Sequence, residues 1–363
     1  MRRFLCAALF VACGGAAFGT AAADAPFNWR LPHGFPRPRV PADNPMSTEK
    51  VALGRHLFYD TRLSRNGRQA CATCHEQVRA FTDGRAHALG STGEEHPRSA
   101  MSLVNVAYAS VLTWANPMMT SLEEQALVPM FGEHPVELGL EKPGTALLAR
   151  LRTVPEYQRS FPAAFSGATD PFTIRNVTRA IAAFERTIIS GRSPYDRYHF
   201  ERQDDAISAE AKRGEQLFFS APLSCFRCHN GFTFSGAADF EGRREGGPPE
   251  FHNDGFANLA SGLLDVTKRP EDFGKFKAPT LRNVAVTAPY MHDGSVATLA
   301  AVLDGYAAGG RDQRNKSELI HGFPLTSDQK HDLIAFLQTL TDEELLHDPE
   351  FANPWLRQGQ EVR

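Results

Sequence analysis

Apolar residues recur at helical spacing in several places along the chain. Between Phe172 and Ser190 the residues Ile174, Val177, Ala180, Ile181, Phe184 and Ile188 fall on one helix face. Two shorter stretches share one pattern. Ser47-Thr48-Glu49 leads into Gly54-Arg55-His56-Leu57-Phe58-Tyr59, and Ser208-Ala209-Glu210 leads into Gly214-Glu215-Gln216-Leu217-Phe218-Phe219. Each reads as a Ser-capped amphipathic helix. A chance stripe would explain one of them; the recurrence points to duplication. Ser327-Asp328 is expected to cap a further helix with the stripe Leu333, Phe336, Leu337 and Leu340. Ser190–Asp205, charged and Pro-containing, reads as a linker, and 241–255, rich in Gly, Pro and charge, as an exposed loop. No run of alternating strands stands out, so the expected fold is mainly α.

Length and charge narrow the classes. The 363 residues suggest about two domains. A net charge of −3 with no Lys/Arg-rich block gives nucleic acid no electrostatic footing. The first residues read as an export signal: Arg2 and Arg3, an apolar stretch Phe4–Phe18, and small residues Ala21-Ala22-Ala23 before Asp24. That predicts a periplasmic mature chain from 24 onward. A lipid anchor through Cys13 is the alternative, though Phe10-Val11-Ala12 fits a lipobox poorly. No later stretch reaches the ~18 apolar residues of a transmembrane helix.

Export usually favours disulfides, yet the four cysteines beyond this segment form two C-x-x-C pairs, each followed by His. These are Cys71-Ala72-Thr73-Cys74-His75 and Cys225-Phe226-Arg227-Cys228-His229. C-x-x-C-H attaches haem c: the thiols add to the vinyl groups and the His becomes an axial ligand. A redox dithiol does not need the His, and two zinc half-sites so far apart would be unusual. Each motif follows one of the repeated helices. The chain therefore reads as two cytochrome c-like haem domains related by duplication, at 24–195 and 196–363, with a last helix able to pack back on the first domain. Two covalent haem c groups are the expected cofactors.

With both motifs placed, the chain resembles the bacterial di-haem cytochrome c peroxidase and MauG family. The resemblance runs from about Asn28 to Trp355 and is most specific in LGRHLFYDTRLSRNGRQACATCH (53–75), SLEEQALVPMFGEHPVELG (121–139) and APTLRNVAVTAPYMHDGSVATL (278–299). It implies that His75 holds the iron where hydrogen peroxide reacts and that His229 holds the second iron, which exchanges electrons with a partner protein. It places Gln125, Glu137 and Pro129 on the distal side of the first haem, where a carboxylate can move a proton between peroxide oxygens. Two extra residues separate Gln125 from Glu137, which makes Glu133 a rival. Trp114 matches the tryptophan between the haems. An inter-domain calcium would involve Ser99, Thr287 and Pro289; a Ser hydroxyl there is a weaker donor than the family's usual Asn.

The second axial ligand separates sub-groups. Ordinary peroxidases carry Met fourteen residues after the His of the HDG motif. Here that His is His292 and the position is Tyr306, as in MauG-like proteins. A phenolate stabilises oxidised iron and lowers its potential. A half-buried helix Tyr is the plain alternative. The loop His that caps the resting first haem in ordinary peroxidases falls on Ser91, with His87 and His96 out of register, so an open first haem is expected. MauG's surface Trp before its second haem motif falls on Leu223, and only Trp29, Trp114 and Trp355 exist; any charge transfer to a partner takes another path. The resemblance thus implies a MauG-like peroxidase. It would oxidise a partner protein, typically at tryptophan, at a distance through a high-valent state shared by two haems. An ordinary cytochrome c peroxidase fed by a small cytochrome or cupredoxin, and a non-catalytic electron-transfer cytochrome, are the rivals.

Overall fold

The computed structural model describes residues 27–243, 249–256, 260–311 and 314–356. The export segment lies outside the described residues. Among them no helix is long and apolar enough to cross a membrane.

The two repeated helices form at Thr48–Phe58 and Ala209–Phe218. Ser47 accepts from the Lys50 N–H and Ser208 from the Ala211 N–H, satisfying donors that each first turn leaves free. Each then crosses a second helix at a glycine. A Cβ on Gly54 would sit 1.8 Å from the Ala180 carbonyl oxygen and 2.9 Å from the Phe184 Cβ. A Cβ on Gly214 would sit 1.9 Å from the Asp332 oxygen and 2.8 Å from the Phe336 Cβ. The partner helices are Ile174–Glu185 and Ser327–Gln338. Glycine is required twice for the same reason: two backbones approach too closely for any side chain.

The duplication extends further than the sequence pattern showed. Asn105 and Asn283 are both buried with positive φ, and each opens a short 3-10 turn, Val106–Tyr108 and Val284–Val286. The Asn105 side chain exchanges hydrogen bonds with the backbone of Ser190; the Asn283 side chain donates to Ser190 Oγ and accepts from the Asp342 N–H.

Two main apolar cores result. The first gathers Leu57, Phe58, Phe81, Ile181 and Phe184, with Leu345 and Leu346 from the C-terminal helix Glu343–His347. That segment is tied down over the first core: Tyr59 donates to the Phe351 carbonyl and Trp355 Nε1 to the His56 carbonyl. The second core gathers Tyr195, Phe218, Phe234, Leu333 and Phe336.

Three expectations need correction. Ser190–Asp205 is packed in its first part and open in its last. Ser190 and Ser193 are fully buried, Pro194–His199 is helical, and Asp196 is paired with the buried Arg282 at 2.6 Å, whereas residues 201–205 are exposed. The pairing of Asp196 is long-range, which a charge count cannot show. The 327–338 helix is capped one residue earlier, by Thr326, because Thr326 and Gln329 form a reciprocal capping box. Within 241–255, residues 244–248 lie outside the described residues, but Phe251–His252 pairs antiparallel with Phe276–Lys277 and Asn253 is buried.

Candidate haem sites

Both C-x-x-C-H segments open onto cavities. The smaller, of about 80 Å³, is lined by Cys71, Cys74 and His75 and, from distant segments, by Gln125, Pro129, Glu137, Ile181 and Glu185. The larger, of about 280 Å³, is lined by Cys225, Cys228, His229 and Tyr306, and extends past Trp114 and His292 to Asp83 and Arg85 beside the first motif. Leu103 borders both. Phe218 reaches the larger cavity, whereas Leu57 and Phe58 stay in the first core.

The imidazoles are set for ligation. His75 Nδ1 lies 2.8 Å from the Phe81 carbonyl oxygen; His229 Nδ1 lies 3.1 Å from that of Pro279 and 3.3 Å from that of Phe234. A carbonyl only accepts, so Nδ1 carries the proton and Nε2 keeps a free lone pair. Burial disfavours the imidazolium of both and lowers His229 to about 4. The thiols are free, and burial raises all four, Cys74 and Cys225 to about 12 and Cys228 to about 11. A redox dithiol needs a stabilised thiolate; these surroundings favour neutral sulfur, as in a thioether. The residues present therefore fit haem c.

In the smaller cavity, the extra residues between Gln125 and Glu137 take a defined path. Glu133 and His134 are exposed and bulge outward. Below the bulge, the Leu138 N–H donates to the Pro129 carbonyl at 2.9 Å and the Leu140 N–H to that of Met130 at 2.9 Å. This closure returns Glu137, not Glu133, to the cavity that Gln125 lines. The loop at Ser91 braces it: the Ser91 N–H donates to the Glu137 carbonyl at 2.6 Å, and Glu94 accepts from the Val136 N–H at 3.0 Å. Burial pushes the Glu137 carboxyl up to about 7. Ser91 does not border the cavity, but His96 does, with Nδ1 3.1 Å from the Arg98 carbonyl; His87 Nδ1 lies 2.9 Å from the His96 carbonyl.

Glu185 was missed from the sequence. It is 5% exposed, borders the smaller cavity, and its Oε2 has no hydrogen-bond partner among the described residues. Burial raises its carboxyl to about 8. The signal was available: Glu185 stands four residues after Ile181, a carboxylate on an apolar helix face.

In the larger cavity, Tyr306 lies on the helix Leu299–Ala307, its ring packed 4.7 Å from Phe256. Burial and the nearby Asp254 raise its phenol well above the ordinary value, and the sulfur sites of Cys228 and Cys225 contribute to the same shift. Tyr306 thus shares one cavity with Cys225, Cys228 and His229. Met101 and Met291 also border this cavity. Trp114 donates to the Ser99 carbonyl at 3.0 Å and stands 6.4 Å from the His292 ring. Ser99, Thr287 and Pro289 meet on the wall nearby. The Ser99 hydroxyl already donates to the Met291 carbonyl, and no cluster of three His, Cys, Asp or Glu that could hold a metal occurs among the described residues. That is a thin donor set for calcium, which takes about 6–8 oxygens. Leu223 packs on the second core; Trp29 packs on a small third cluster around Phe35 and Tyr108.

Residues 48–205 match the family model of di-haem cytochrome c peroxidase, and 275–308 match a RoxA-like, cytochrome c-like model. The chain is 38% identical to the cytochrome-c peroxidase IdrP1 of Pseudomonas sp. (strain SCT), over 96% of this chain and 95% of that one. The chain belongs to the di-haem cytochrome c peroxidase family. Within this family it is 34% identical to the methylamine utilization protein MauG of Methylorubrum extorquens, over 91% and 90% of the two chains. A solved MauG-like protein associated with microbial copper homeostasis superposes with a TM-score of 0.87 at 44% identity, covering 91% of this chain and all of that one. The di-haem peroxidase family implies oxidoreductase chemistry on peroxide with haem c, and its fold is the one seen here, helical with cytochrome c-like domains.

Proposed function

We propose that this chain is a MauG-like peroxidase of the periplasm, carrying one haem c at Cys71/Cys74/His75 and another at Cys225/Cys228/His229. Bound haem would supply the iron that holds the two oxidising equivalents delivered by peroxide. The chain's own residues do the rest. Gln125 orients peroxide by its amide, and Pro129 shapes the pocket. Glu137 takes the proton from the near oxygen and returns it to the far oxygen, which leaves as water. Trp114, held by Ser99 between the two sites, shares charge between them. Tyr306 would offer an anionic oxygen to the iron of the second haem, which would favour its giving up an electron over delivering one. Electrons then come from a partner protein, from a tryptophan side chain as in the MauG-like sub-group. The solved MauG-like protein's association with copper homeostasis makes a copper-homeostasis protein the partner to seek first.

The observation that carries this reading is Tyr306, half-buried on the wall of the cavity that Cys225, Cys228 and His229 also line. The test is EPR and optical spectroscopy of the ferric holoprotein before and after one equivalent of peroxide. The expected result is one high-spin and one low-spin haem, both losing their ferric signals at once without prior reduction. A resting protein inert to peroxide until pre-reduced would refute the reading. The 38% identity to a cytochrome-c peroxidase supports a second reading, a peroxidase fed by a small cytochrome c or cupredoxin. That reading predicts steady turnover with reduced cytochrome c.

A further inference from the structure

The strand Phe276–Lys277 ends in a lysine with an unusual environment. Lys277 is 6% exposed and borders the larger cavity. Its backbone N–H donates to the Trp114 carbonyl at 2.8 Å, and Nζ donates to the Val111 carbonyl at 2.7 Å. An ammonium has three protons to give, and this is the one hydrogen bond that Nζ makes among the described residues. No described carboxylate lies within ion-pair distance, although Asp83 and Asp254 border the same cavity. Burial alone pulls the amine down to about 8. A buried, uncompensated charge is costly, and native chains pair it.

The backbone ties Lys277 to the second haem motif. In Lys277-Ala278-Pro279, the Ala278 carbonyl accepts from Ser235 Oγ at 2.8 Å and the Pro279 carbonyl lies 3.1 Å from His229 Nδ1. Lys277 is thus fixed two residues from the carbonyl that orients the second proximal imidazole. A haem c attached through Cys225 and Cys228 carries its propionates on the edge remote from the thioether bonds. They are the anions that this cavity would receive.

We propose that the Lys277 ammonium is the counter-ion of a propionate of the second haem, and a positioning residue that holds that haem's potential up. This rests on haem occupying the Cys225–Cys228 cavity, and not on the identity of the ligand opposite His229.

The test is potentiometric titration of the low-spin haem in the holoprotein, for wild type, Lys277→Met, Lys277→Gln and Lys277→Arg. Removing the cation leaves the propionate charge uncompensated and favours ferric iron. Both neutral variants should show about a tenfold higher oxidised-to-reduced ratio at fixed potential, a fall of about 59 mV for one electron. Lys277→Arg should stay within about twofold of wild type. The low-spin EPR g-values should not move, because no axial ligand changes. Unchanged potentials in the neutral variants at full haem content would overturn the proposal. So would Lys277→Arg falling as far as Lys277→Met. If Tyr306 is not the ligand, Tyr306→Phe leaves the low-spin g-values unchanged while the Lys277 shift stays in place, so the two failures are distinguishable. If Lys277→Met loses haem, Lys277→Gln, closer in polarity, carries the neutral arm.

Discussion

Replacing Glu137 with Gln keeps size and removes one ionisation. Burial lifts this carboxyl from 4.5 to about 7, which at 1.36 kcal/mol per tenfold change is about 3 kcal/mol of lost carboxylate solvation. The sign follows from proton counts. Between pH 4.5 and about 7 the unfolded chain has released this proton while the folded chain keeps it, so stability falls as pH rises through that window. The carboxylate that accepts peroxide's proton is therefore bought at the expense of the fold. Glu137→Gln should be more stable than wild type by up to about 3 kcal/mol at pH 8 and equal to it near pH 4, by denaturant melts of the holoprotein. The same variant should react with peroxide about 10²–10⁴-fold more slowly in stopped-flow measurements. Wild type should gain rate as pH passes about 7, and the variant should lose that rise. A variant that is less stable at pH 8, or that keeps the wild-type pH profile, would refute this reasoning.

Gly214→Ala should destabilise the second core, because its Cβ would meet the Asp332 carbonyl at 1.9 Å. Overpacking of about 1–3 kcal/mol should outweigh the gain in helix propensity of about 1 kcal/mol, and differential scanning calorimetry should show a lower Tm. Gly54→Ala should do the same to the first core, whereas Gly167→Ala, with nothing within 4 Å and no positive φ, should not. Glu185→Gln should remove one protonated-carboxyl band from the infrared spectrum at neutral pH; a band of full intensity would show Glu185 to be ionised. Cys225→Ser with Cys228→Ser should halve the pyridine haemochrome yield, and an unchanged yield would rule out the second attachment site.

Much of this was legible in the sequence because covalent attachment and helix crossing demand fixed residues at fixed spacing. C-x-x-C-H, the Gly-x-x-Leu-Phe repeat and the stripe from Ile174 to Ile188 each leave a local mark. The resemblance then named Gln125, Glu137, Trp114 and Tyr306, and the structure brings each to the wall of one cavity or the other. What stayed hidden is held by long-range contacts. Nothing local distinguishes Lys277 from a surface lysine, and its partners Val111 and Trp114 lie far away in sequence. The first part of Ser190–Asp205 read as a linker because Arg282, which neutralises Asp196, sits 86 residues on. The matching Asn105 and Asn283 escaped notice because their role is a backbone conformation with positive φ, which hydrophobic periodicity does not record.

Whether an anionic phenol oxygen faces the second iron is best read by resonance Raman spectroscopy of the ferric holoprotein, with unlabelled and ring-deuterated tyrosine. The account predicts iron-tyrosinate bands that shift on labelling and vanish in Tyr306→Phe. A low-spin haem with no tyrosinate bands, unchanged in Tyr306→Phe and lost in Met291→Ala or Met101→Ala, would contradict it.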